Sequence, residues 1–245
     1  MYFSHTKNEM SVKARSKFMT NVFGYMFIGV VITAIVAWFM QSQPGMLESL
    51  FTFVPGADDD GYPAMVASPS MLWIGLSVVE FIMVVVLVFG VNSLSSSTSW
   101  VMFLAYAALN GVTLTPLLAA YSGADISMAF ISASSLFAVM SVYAFTTKSD
   151  FSNLGSLLVS ALIAIIISMI ANWFIGSSVL DMAISAAAIV VSAILVVYDI
   201  HITKKLHAAQ YGQSEGTLAI YAALGLYLDF KIMFVHFLRF FESND

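Results

Sequence analysis

Apolar stretches of about twenty residues recur along the chain, separated by short polar runs, and a bilayer core of about 30 Å needs roughly that length per helix. Seven such stretches run from Met19 to Met40, Met71 to Val91, Trp100 to Ala120, Ile126 to Thr146, Leu154 to Ile175, Met182 to Ile202 and Leu218 to Phe240. Backbone groups in lipid must be satisfied internally, so helices are the expected form; the short alternating segments of a β-barrel are absent from the sequence. The connections are short except residues 41–70, which hold Pro44, Pro55, Pro63 and Pro69 and read as an irregular outer loop. The pattern predicts an all-α membrane protein, a seven-transmembrane-helix bundle over 19–240, with tails at 1–18 and 241–245.

Charge gives this bundle a direction. Lys7, Lys13, Arg15 and Lys17 precede the first span, Lys148 follows the fourth, and Lys204 and Lys205 follow the sixth, so seven of the nine basic residues fall on one side. Positive residues stay inside, which predicts a cytoplasmic N-terminus and an external C-terminus. The other side carries Glu48, Asp58-Asp59-Asp60, Asp125 and Asp181. That aspartate run reads as a solvated loop tip, with a cation-collecting mouth as the functional alternative.

Composition agrees, with 60% hydrophobic and 9% charged residues, against about 45–50% and about 25% in soluble domains. The absence of Cys excludes disulfide and thiol chemistry, and the four His show no ligand spacing. The first apolar run is too long for a signal-peptide core and is expected to remain as a span. The few basic residues are split among short loops, which argues against nucleic acid as a partner.

Ionisable residues inside spans are costly and usually face the bundle interior or a wet cavity. Here they are Glu80, Asp199, Asp229, Lys231, His236 and Arg239. Ser185, Ser192 and Asp199 lie seven apart with Ala188 between, so Asp199 continues a small-residue stripe suited to close packing. Ala222, Gly225, Asp229 and His236 form a similar stripe on the last span. Counted from the expected span ends, Asp199 lies roughly 5 Å deep and Asp229 roughly 16 Å, so tilt or a funnel must bring them together. If they meet, the two carboxylates would share a proton and act as a proton-sensitive latch. The alternative is that each neutralises a cation, Asp199 with Lys204 or Lys205 and Asp229 with a neighbouring span.

Glu80 and Lys231, both near mid-bilayer by count, are expected to form a structural ion pair. Arg239 is expected to snorkel to the outer interface. His236 shares the Asp229 face and reads as a hydrogen-bonded packing residue, with a relay role as the alternative. "NGVTLTPLL" places Pro116 late in the third span, where a structural kink is the default and a gating hinge the alternative.

Several stretches together resemble the Bax inhibitor family, the transmembrane Bax-inhibitor-motif proteins, and its bacterial members. They are "VFGYMFIGVVITAIVAWF", "NGVTLTPLL", "SVYAFTTKSDFSNLGSLL", "VVYDIHITKKL" and "ALGLYLDFKIMFVHFLRFF", in that order, from about residue 18 to the end. The resemblance implies a seven-helix bundle with the last helix central, surrounded by the other six, and an acidic pair at Asp199 and Asp229. It implies a pH-sensitive calcium leak or a regulator of stress and cell death, in a bacterial inner membrane. Calcium takes hard oxygen ligands, and two inward carboxylates would hold it transiently, as a permeant ion rather than a cofactor. Family members hold the acidic pair with a basic residue near the inner end of the second helix; here "FGVNSLSSSTSW" has Asn92 and no charge, leaving Lys204, Lys205 or a carboxyl–carboxylate bond for that role. Glu80 and Arg239 resemble family charges that interact between the second and seventh helices, which competes with a Glu80–Lys231 pair.

Three functions follow. The first is a passive, proton-regulated cation pathway, with the lipid bilayer, calcium and protons as partners. The second is a membrane-embedded stress regulator that binds another membrane protein, such as a membrane protease, through residues 1–17 or the 203–216 loop. The third is an intramembrane aspartyl protease, since "YD" on one helix and an Asp on the next resemble the presenilin-like pattern. Gly225-Leu226-Tyr227-Leu228-Asp229 does not match the Gly-x-Gly-Asp motif of that chemistry, so the chain is not expected to be an enzyme.

Overall fold

A computed structural model describes residues 2–57, 63–90, 93–208 and 214–242. Helix α1 covers Tyr2–Ser42 and α2 covers Pro44–Ser49; strands β1 and β2 cover Phe51–Ala57 and Pro63–Pro69. The rest is α3 (Met71–Phe89), α4 (Ser96–Ala119), α5 (Gly123–Thr146), α6 (Gly155–Ile175), α7 (Ser178–Ala208) and α8 (Glu215–Glu242). Seven of these helices are long and apolar enough to cross a membrane: Ala14–Ser42, Met71–Phe89, Ser96–Ala119, Gly123–Thr146, Ser152–Ile175, Ser178–Ala208 and Glu215–Phe241. The fold is therefore an all-α, seven-span membrane fold, and the last span is the most deeply buried of the seven. Their outward faces carry Phe27, Trp38, Phe81, Ile131, Val139, Ile167 and Trp173, all exposed. Such a surface is stable against lipid and not against water.

Local signals set the helix boundaries. Ser70 and Ser95 cap α3 and α4 by accepting from Trp73 N and Thr98 N, and Ser122 with Asp125 forms a capping box at α5. Gly176, at φ 67°, ends α6 in the left-handed conformation that favours glycine. α1 runs unbroken from the polar N-terminal segment into the first span. α4 continues through Pro116 to Ala119, with Thr115 Oγ1 donating to Gly111 O at 2.7 Å.

The stretch from 41 to 70 is not irregular. It holds a short helix and an antiparallel hairpin in which Phe51 pairs with Pro69, Pro55 with Met65 and Ala57 with Pro63. Proline signalled a loop, yet the three strand prolines all fall in pairs of one parity. Ser70 N donates to Leu50 O at 3.1 Å, which assigns the ladder bonds to the opposite parity. The prolines thus occupy positions whose missing N–H breaks no bond, and both strands of a two-stranded sheet are edges. Residues Asp58-Asp59-Asp60 lie outside the described residues.

The chain forms two compact units, Phe27–Ala120 and the combination of Met1–Met26 with Tyr121–Asp245. In the first, α3 packs on α4 and the hairpin follows α2. In the second, α8 packs against α7 and α5, and α7 also packs against α5 and α6.

Candidate functional site: an acidic pair between α7 and α8

The two small-residue stripes are the packed faces. Ser185, Ala188 and Ser192 on α7 are fully buried, and Ala222, Asp229 and His236 on α8 are buried. The helices run antiparallel, which shows in their cross-links. Arg239 Nη1 lies 3.5 Å from Asp181 Oδ1, and His236 Nδ1 lies 3.3 Å from Ser185 Oγ. At the other end Asp199 Oδ2 lies so close to Gly225 that a Cβ there would be 2.6 Å from it.

This register narrows the mismatch in depth from about 11 Å to about 6 Å. α7 does not end near Ile202 but continues to Ala208, so Asp199 lies about nine residues, roughly 13 Å, from the helix end. Gly225 lies about ten residues, roughly 15 Å, from the start of α8, at the same level. Asp199 therefore sits one helical turn, about 6 Å along the axis, from the level of Asp229. Lysine pairs mark helix ends in sequence, but here α7 is continued by anchoring both lysines. Lys204 Nζ donates to Ala144 O at 2.8 Å and lies 4.3 Å from the Phe145 ring centre. Lys205 Nζ binds Asp150 at 3.0 and 2.9 Å and Ser152 Oγ at 2.6 Å.

The cations named as partners for Asp199 are thus engaged elsewhere, and among the described residues Asp199 makes no ion pair. Asp229 is 4% exposed, and its Oδ2 is buried without a hydrogen-bond partner. The charge that bears on it is that of Asp199. Tyr221, on α8, lies within electrostatic range of Asp199 and of Tyr198. Gly155, at the start of α6, lies so close that a Cβ there would be 2.5 Å from the Tyr198 hydroxyl. On α5, the Ser141 hydroxyl is another buried polar atom without a partner.

Asp150 was not singled out by sequence, because a loop aspartate gives no signal. In the fold it gathers the basic end of α7. His201 Nε2 is 3.0 Å from its Oδ1, and Ser152 N donates to the same oxygen at 2.9 Å. The Lys205 ammonium and the Ser152 N–H hold the Asp150 carboxyl well below the usual range. His207 stacks on Phe18 with ring centres 4.1 Å apart and lies 3.8 Å from Glu215 at the start of α8.

Glu80 belongs to the other unit. It is buried on α3 and accepts Asn110 Nδ2 at 2.6 Å and the Thr113 hydroxyl. Trp73 Nε1 donates to Thr113 O at 2.9 Å and extends this network along α4. These neutral donors were missed as partners because Asn110 and Thr113 read only as neighbours of Pro116. Lys231 lies half-buried on α8.

A buried carboxylate with an orphaned oxygen on α8 and a half-buried one on α7, one turn from its level, give this integral membrane protein a polar site between two of its spans. The chain belongs to the Bax inhibitor family: the family model "Inhibitor of apoptosis-promoting Bax1" matches residues 15–245. It is 31% identical over 230 residues to the inner membrane protein YbhL of Escherichia coli K12, covering 93% of this chain and 92% of that protein. A Borreliella burgdorferi protein is 31% identical over 237 residues, 96% of this chain and 95% of its own length. A membrane protein of Streptococcus pyogenes serotype M3, SpyM3_0260, is 30% identical over 230 residues, 94% of each chain.

Proposed function

We propose that this protein is a pH-sensitive passive cation leak, calcium being the permeant ion, gated by Asp199 and Asp229, in a bacterial inner membrane with the N-terminus cytoplasmic. The observation that carries the reading is the orphaned, buried Oδ2 of Asp229 one turn from the level of Asp199. A buried polar atom without a partner costs about 1–3 kcal/mol, more if charged, so this carboxylate oxygen is a costlier orphan than the Ser141 hydroxyl. Two carboxylates and the hydroxyls around them suit a hard cation in transit, because so few ligands bind it weakly. When the pair is ionised it attracts the cation. When it takes up a proton the attraction falls and α7 packs against α8 without like-charge repulsion, so flux falls as pH is lowered.

Calcium entry into proteoliposomes tests this. Wild type is expected to exceed empty liposomes, and Asp229→Asn to differ from wild type while eluting as the same species. Entry equal to that of empty liposomes overturns the proposal.

A second reading, a regulator that binds another membrane protein such as a membrane protease, is favoured by one observation. α1 spans 41 residues, about 60 Å, twice the thickness of a bilayer core. Its basic N-terminal part would project as a continuous helix into the cytoplasm. Deleting residues 2–13 discriminates: it abolishes a regulatory effect and leaves ion flux intact.

A further inference from the structure

The α7–α8 interface carries ionisable and hydroxyl side chains at intervals from one end to the other, among small and apolar residues. From the acidic pair outward it carries Asp199 beside Gly225, then Asp229, then His236 with Ser185, and then Arg239 with Asp181. Ser192 falls between. The cross-links at 185–236 and 199–225 place it midway along the seam, within two residues of the level of Asp229. By contrast, α5 meets α8 through aromatic rings, with Phe130 against Phe230 and Phe234 at 5.7 and 6.4 Å and Phe137 against Phe230 at 5.9 Å. Ala129 and Ala133 are buried beside these rings on the same helix, which has one buried hydroxyl, Ser141, nearer its other end. α6 has no ionisable residue at all.

Polar side chains in a helix interface within lipid are expensive, so an end-to-end series of them marks a pathway more readily than a packing solution. The small residues Ala188, Ala222 and Gly225 leave backbone as the wall, so modest separation of the helices would admit water. In this structure the seam is shut. Ser192 is fully buried and its hydroxyl donates back to Ala188 O at 2.8 Å. The steps are about 6 Å from the level of Asp199 to Asp229 and about 10 Å from Asp229 to His236, each within reach of one or two bridging waters.

We infer that the outer half of the permeation route is the α7–α8 seam, lined by Ser192, Ser185 and His236, with the Asp181–Arg239 pair at its outer mouth. The inference rests on the cation-leak reading and names the route by which the ion leaves or reaches the acidic pair. It assigns Ser192 and Ser185 as hydroxyl ligands in transit and His236 as a lining group held in place by Ser185.

The chain contains no cysteine, so single-cysteine variants report without background. Ser185→Cys and Ser192→Cys would be exposed, in proteoliposomes of known orientation, to a membrane-impermeant methanethiosulfonate applied on the outer side. Two controls accompany them: Val190→Cys, on the lipid-facing side of the same helix, and Ala133→Cys, on the buried face of α5. Only a wetted thiol ionises and reacts, so both seam positions are expected to be modified at least about tenfold faster than both controls, Ser185→Cys faster than Ser192→Cys. Failure of both seam cysteines to react, or equal reaction at Ala133→Cys, overturns the route. Labelling is read without flux, so the two ideas fail separately. Fast seam labelling in a protein that passes no calcium keeps the route and sinks the leak; calcium flux with unlabelled seam cysteines does the reverse. As a lining residue, His236 is expected to tolerate Gln, which keeps the bond to Ser185, whereas His236→Leu slows seam labelling. Equal labelling in the two variants removes His236 from the lining.

Discussion

Substitution of Gly225 isolates the contact that holds the acidic pair in register. In a helix interior, alanine is favoured over glycine by about 0.5–1 kcal/mol. At Gly225 the new Cβ would stand 2.6 Å from Asp199 Oδ2, far inside contact distance. Overpacking of this kind costs about 1–3 kcal/mol, toward the lower end here because the obstructing atom is the tip of a side chain with two rotatable bonds. Gly225→Ala is therefore expected to be destabilising by about 1 kcal/mol net, and to push the Asp199 carboxylate off α8 so that calcium flux changes as well. In an Asp199→Ala background the obstruction is gone, and the same substitution should stabilise by about 0.5–1 kcal/mol. The cycle then shows a coupling of about 1–3 kcal/mol. Reversible unfolding in mixed micelles, measured for the wild type, both single variants and the double variant, gives this number. Gly75→Ala, where a Cβ meets nothing within 4 Å, serves as the control and should be neutral or stabilising. Additivity within about 0.3–0.5 kcal/mol would refute the placement of Asp199 against Gly225.

Other consequences test the surrounding structure. Gly111→Ala would put a Cβ 2.7 Å from Thr33 O and from Val36 Cβ. Backbone cannot swing aside, so the loss of stability should exceed that of Gly225→Ala, reaching about 3 kcal/mol in the same unfolding assay. Asn110→Ala removes the donor 2.6 Å from Glu80 Oε1 and should cost about 1–3 kcal/mol, with Glu80→Gln recovering part of the loss. At Asp150 the folded carboxyl titrates below its unfolded value, held there by Lys205. Its stabilising effect is therefore present above about pH 4 and is lost as pH falls below that. Asp150→Asn should flatten this acid limb in an unfolding-versus-pH series, and added salt should mimic it, because the pair is exposed.

The seven spans were legible because lipid leaves the backbone one solution, and length with apolarity reveals it. The two packed stripes were legible too, since seven-residue spacing fixes a helix face whatever the neighbour. The level of Asp199 was not legible. Lys204 and Lys205 look like the end of a span, and only contacts with Ala144 and Asp150, some sixty and fifty-five residues away, carry α7 further. The hairpin was hidden because proline signals a loop unless the parity of its pairing is known. The amide and hydroxyl donors to Glu80 were hidden for a related reason: Asn110 and Thr113, thirty and thirty-three residues away, carry no charge that marks them as partners of a carboxylate. Arg239 gave an interfacial reading from its position near the end of α8, and it lies beside Asp181 at the start of α7. Long-range polar partners of this type leave no periodic trace.

The central claim is that Asp199 and Asp229 act as one titrating gate. The most direct measurement is calcium flux through proteoliposomes as pH is stepped from mildly alkaline to mildly acidic, for wild type beside Asp199→Asn and Asp229→Asn. The account predicts a flux that falls on acidification in wild type and loses its pH dependence in both variants. A variant that keeps the wild-type pH response contradicts it.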